Sequence, residues 1–70
     1  MDINMLKAQF VLKGKSISDI AGLLNISKSA IYRKLKGKSE FTRKEILLLI
    51  SFLEINTDKA MSIFFNDKVS

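Results

Sequence analysis

Lys28 is followed one, four and five residues on by Ser29, Tyr32 and Arg33, and then by Lys36. On a helix this spacing lines them along one side. All five are hydrogen-bond donors, and three carry positive charge. Long basic side chains reach phosphate oxygens or guanine O6 and N7, a serine bonds base edges on either strand, and a tyrosine contacts phosphate or packs on a thymine methyl. The chemistry is non-covalent recognition of a polyanion. Catalysis is not expected, because the sequence has no histidine and no cysteine, the usual residues of nucleophilic relays and soft-metal sites. Asp19 and Glu45 are explained as helix caps. No cofactor, metal or small-molecule ligand is expected.

The charge is unevenly spread. Residues 1–44 hold ten basic and three acidic side chains, a net of +7, whereas residues 45–70 hold two and four, a net of −2. From Lys28 to Lys44 there are seven basic residues and one acidic residue. A polyanion-binding face joined to a separate packing or assembly region gives this asymmetry. A basic surface kept only for solubility would give it too.

The elements must be helices. With 70 residues, no proline and three glycines, the chain is too short for two cores and poor in the residues of tight hairpins. Hydrophobic residues at 47% and charged residues at 27% suit a folded chain. One all-α domain spanning residues 1–70 is expected, with helices at about 4–13, 17–24, 28–36, 43–54 and 57–65. Leu6 and Phe10 lie on one face of the first, and Gly14 is placed to end it. Ser16 with Asp19, and Thr42 with Glu45, have capping-box spacing. Ile17, Ile20, Ala21 and Leu24 form the inner stripe of the second helix, Ile31 and Leu35 that of the third, and Ile46, Leu49, Ile50 and Leu53 that of the fourth. Asn56 or Thr57 caps a fifth carrying Ala60, Met61, Phe64 and Phe65 inward, after which residues 66–70 fray.

The second and third helices are separated by almost nothing. Two helices joined so tightly pack only if a small residue lies where their backbones approach, and Ala21 supplies it. The turn needs a positive φ, which Asn25 tolerates best among non-glycine residues. Ile26 then points back to the core and Ser27 restarts the helix. Leu24, Ile26 and Ile31 clamp the pair, leaving the other face of the third helix in solvent. A merely solvated basic helix would explain the charge but not this small residue, turn and restart in register.

Across Ser16 to Gly37 the sequence resembles the helix-turn-helix repressors of the lambda repressor and Cro type, the Xre family. Ala21 matches the family's small residue, Ile20, Leu24, Ile26 and Ile31 its core positions, and Ser39-Glu40-Phe41-Thr42 its entry to the fourth helix; the likeness runs to about Thr57. It implies a compact five-helix, dimeric transcriptional regulator that binds double-stranded DNA, typically phage or prophage encoded. It implies base reading by Lys28 and Ser29, with Arg33 one turn later, and phosphate anchoring by Ser27, Lys38, Ser39 and Arg43. The family usually has glycine where Asn25 stands and often glutamine where Ile17 stands, so Ser18 or the helix amides would replace that side chain's phosphate clamp.

Leu47, Leu48 and Phe52 widen the apolar stripe of the fourth helix, and Ile63, Phe64 and Phe65 do the same on the fifth. Either the fifth helix folds back over the fourth, or Phe52, Ile63, Phe64 and Phe65 build a two-fold contact. A homodimer, at least on DNA, would suit a pseudo-palindromic operator. The rival expectation is a protein-binding module, an antirepressor or assembly factor gripping its partner through Phe52, Phe64 and Phe65; the basic third helix counts against it. An RNA-binding role is weaker, for want of an aromatic stacking surface. The longest apolar run is far short of a membrane span, and the first residues lack a secretory signal. A cytoplasmic location is expected.

Overall fold

The computed structural model describes residues 1–65; the expectation for residues 66–70 lies outside them. Five helices follow in order: α1 Ile3–Leu12, α2 Ile17–Leu24, α3 Lys28–Leu35, α4 Arg43–Phe52 and α5 Thr57–Phe64. No strand occurs among the described residues. The Cα radius of gyration, 11.4 Å, is close to the roughly 11 Å of a folded chain of this length. None of the described helices is long and apolar enough to cross a membrane.

Every helix starts at a polar cap. The side chains of Asp2, Ser16, Ser27, Thr42 and Asn56 each accept a backbone N–H three residues on, and the Ser16 and Thr42 caps are full capping boxes. Asp2 therefore starts α1 one residue earlier than the periodicity predicts. The first four helices also end alike, at left-handed Gly14, Asn25, Gly37 and Glu54. In each case the following residue's N–H reaches back five positions, Lys15 to Phe10, Ile26 to Ala21, Lys38 to Arg33 and Ile55 to Ile50. These bonds satisfy carbonyls that a helix end would otherwise leave bare. They also end α4 at Phe52 instead of Glu54, and the reversal carries Ile55 into the core.

That core joins Leu6 and Phe10 of α1, Ile20, Ala21 and Leu24 of α2, and Ile31 of α3 to Leu49 and Leu53 of α4 and Ala60, Ile63 and Phe64 of α5, with Phe41 and Ile55 from the connections. Ile17, Ile26, Leu35, Ile46 and Ile50 pack against it half-buried. α2 lies against α3 and α4, and α5 against α1. The Asp2 N–H donates to the Ile63 carbonyl at 2.7 Å, tying the start of the chain to α5.

Two expectations for the C-terminal third are corrected. Ile63 and Phe64, expected at a two-fold contact, are 0% and 5% exposed. α5 folds back and its strongest apolar face closes the monomer's own core, so neither side chain is left for a partner. Met61 and Phe65, expected inward, are instead 54% and 52% exposed, because Ala60, Ile63 and Phe64 already fill the inner stripe. Of the four residues expected in the contact, half-buried Phe52 and exposed Phe65 retain surface.

The left-handed residues give a direct test by urea unfolding. Gly14→Ala places a Cβ that meets nothing within 4 Å, so its expected cost of about 1 kcal/mol is purely conformational. Glu54→Gly removes the same strain and is expected to stabilise by up to about 1 kcal/mol, less what a glycine adds to the unfolded chain's entropy. Unchanged midpoints in both variants would contradict the four-fold use of this helix ending.

Candidate functional site

The position of α3 is set by what precedes it. Asn25 adopts φ 57° and ψ 45°, and its N–H donates to the Gly22 carbonyl at 3.3 Å while that of Ile26 donates to Ala21 at 3.1 Å. The chain reverses there, Ile26 packs on the core, and the Ser27 hydroxyl oxygen takes the Ala30 N–H at 3.1 Å to start α3. Ile31 is fully buried. At 3.6 residues per turn, Ser29 and Arg33 then stand on the side opposite Ile31, with Lys36 beside them and Lys28 and Tyr32 on one flank.

All nine residues expected to contact a polyanion are exposed: Ser27, Lys28, Ser29, Tyr32, Arg33, Lys36, Lys38, Ser39 and Arg43. Lys28 to Lys36 lie on α3 or its ends, Lys38 and Ser39 in the connection, and Arg43 opens α4. Among the described residues the sole ion pair is Lys34 with Glu45. Lys28, Arg33, Lys36, Lys38 and Arg43 thus have no acidic partner there. The first amides of α3 have no intrahelical carbonyl to bond, and its N-terminus adds a partial positive charge to the same face. The assembly can donate hydrogen bonds to anionic oxygens along one edge and to flat polar edges from Ser29 and Arg33.

Lys34, which the sequence pattern counts among the seven basic residues from Lys28 to Lys44 without a role of its own, has one in the structure. Its ammonium lies 3.1 Å from Glu45 Oε1, donates to the Glu40 carbonyl at 2.9 Å, and sits 5.6 Å from the centre of the buried Phe41 ring. Both side chains of the pair are only 13% exposed. Lys34 is a fastener between α3 and α4. Its position one turn beyond Ala30, on the flank away from Tyr32, was legible, but its partners were not. Burial pushes the Glu45 carboxyl up, yet the Thr42 N–H, the Lys34 ammonium and the Thr42 hydroxyl together hold it below its ordinary value of 4.5. Asp19 is also lowered, by the Ser16 N–H first and then the Ser16 hydroxyl, with Lys15 adding a smaller pull against a slight desolvation.

The apolar grip expected of a protein-binding module is not assembled as the sequence suggests. Phe64 is in the core, and Phe52 is half-buried with the Lys15 ammonium 4.5 Å from its ring centre. Phe65 meets Phe64 edge to face, ring centres 6.5 Å apart. The chain matches no family model, no curated protein and no solved structure.

The fastener is testable. Glu45→Gln keeps the shape but loses the charge, and is expected to cost about 1–2 kcal/mol at neutral pH. A carboxyl held low in the folded state stabilises fully above its unfolded pKa, and the contribution is lost as pH falls through the folded value. Wild-type stability should therefore drop as pH falls below 4.5, and Glu45→Gln should show a shallower drop, with Asp19 supplying the remainder. Equal acid limbs in the two proteins would contradict the assignment.

Proposed function

We propose that this chain is a sequence-specific, double-stranded DNA-binding transcriptional regulator of the lambda repressor and Cro type, with α2 and α3 as a helix-turn-helix and α3 entering the major groove. The observation that carries this is the left-handed Asn25 turn, which holds α3 by Ile31 and leaves Ser29 and Arg33 facing outward. A rigidly held helix with donors on its outer face is what base reading requires.

In this function Lys28, Ser29 and Arg33 contact base edges. Tyr32 and Lys36 contact the flanking backbone, and Ser27, Lys38, Ser39 and Arg43 anchor phosphates around the N-terminal ends of α3 and α4. Lys34, committed to Glu45, takes no part. The regulator binds as a homodimer, at least on DNA, with two copies of α3 about 34 Å apart on a pseudo-palindromic site. With Ile63 and Phe64 buried, the outer side of α5, where Met61 and Phe65 stand four residues apart, is the surface for that contact.

Duplex binding should weaken by at least about tenfold between about 50 and about 200 mM salt, as counterions compete for the phosphates. On a specific site Arg33→Ala should cost about 1–3 kcal/mol, while Lys38→Ala should weaken specific and random duplexes alike. Equal losses on both duplexes for Arg33→Ala would contradict base reading, and a flat salt response would contradict phosphate anchoring.

A further inference from the structure

Two hollows open on the surface. One, of about 350 Å³, lies between the chain start, the α3–α4 connection and α5, and Glu40 has the sole charged side chain in its lining. The other, of about 420 Å³, runs between the end of α1, the start of α2 and the end of α3. Its volume falls in the range of about 300–1,000 Å³ that occupied clefts show. Phe10, Ile17 and Leu35 form its floor, Val11 and Tyr32 its sides, and the exposed Lys7 and Lys36 its rim, with no carboxylate among the lining residues; Lys15 also borders it, but its ammonium lies against the Phe52 ring. Val11 is 81% exposed, and next to it in sequence Leu12 is 72% exposed.

We propose that this groove docks an acidic amphipathic peptide segment of a partner protein, and that such a segment and duplex DNA exclude one another. The apolar floor asks for aliphatic or aromatic side chains, and the two exposed rim lysines, Lys7 and Lys36, ask for anionic groups beside them. DNA satisfies the second demand and not the first, since apart from thymine methyls its grooves offer no apolar group to cover Val11 and the floor. Asp19, the carboxylate that Lys15 influences, is engaged by the Ser16 N–H at 2.8 Å and does not line the groove. The exclusion rests on the DNA-binding function proposed above, because Tyr32 and Lys36 serve both ligands. The docking itself does not.

The probe is a labelled helical peptide of about 16 residues with leucine and phenylalanine on one face and glutamate on the other, titrated into the full chain. Companion peptides replace either the glutamates by glutamine or the apolar residues by serine. The intact peptide should bind at least about tenfold more tightly than either companion. Val11→Gln, an exposed change outside the DNA-contacting set, should weaken it about fivefold or more while leaving duplex affinity within about twofold. The intact peptide should also displace bound duplex. Equal binding of intact and serine peptides would overturn the proposal, since charge alone would then suffice. So would binding indifferent to Val11→Gln, or self-association that Val11→Gln abolishes in a chain that ignores the peptide, which would assign the groove to a second copy. Failure to bind any duplex would remove the exclusion, with the peptide and Val11→Gln measurements still deciding the groove.

Discussion

When the chain leaves α2 it must change direction within two residues without stranding the carbonyls of its last turn. The hydrogen bond from the Ile26 N–H to the Ala21 carbonyl meets that demand, and it forms only because Asn25 enters the left-handed region. Ile26 is thereby returned to the core and Ser27 is placed to cap the next helix. The heading of α3, the burial of Ile31 and the outward stance of Ser29 and Arg33 all follow from that one reversal. Asparagine gives up little against glycine here, because its short polar side chain tolerates this backbone better than others do.

The same device recurs with a less suitable residue. Glu54 takes φ 52° after α4, a conformation costing a long side chain about 1 kcal/mol or more, and the return is the burial of Ile55. On the other side of α3, Lys34 and Glu45 join its end to the start of α4. α3 is therefore fixed at three places: its cap, its buried isoleucine and its lysine fastener. What is left free is a narrow outer strip of donors.

Much of this was legible in the sequence, because helix caps and turn residues act locally. Ser16 with Asp19, Thr42 with Glu45, Gly14 and Asn25 announce their roles within four residues of themselves, and Leu6, Phe10, Ile20, Leu24, Ile31 and Leu49 reveal their burial by period. What failed depends on contacts distant in sequence. Nothing near Lys34 says that Glu45 and Phe41 will claim it. Nothing near Ile63 says whether its apolar face will close its own core or a partner's. The groove beside Val11 was equally hidden, since it is made by three helices whose individual patterns are each accounted for. The outward placement of Ser29, Tyr32, Arg33 and Lys36 was readable too, because it follows from one turn and one helical period.

The proposed DNA recognition requires that the outer strip of α3 distinguish one sequence from another. Selection of duplexes from a random pool by the 70-residue chain measures this. Enrichment of a pseudo-palindrome whose half-sites lie about 10 base pairs apart, or a multiple of that, centre to centre, is the expected result. A pool recovered without any enriched sequence, after binding and washing at about 150 mM salt, would contradict it.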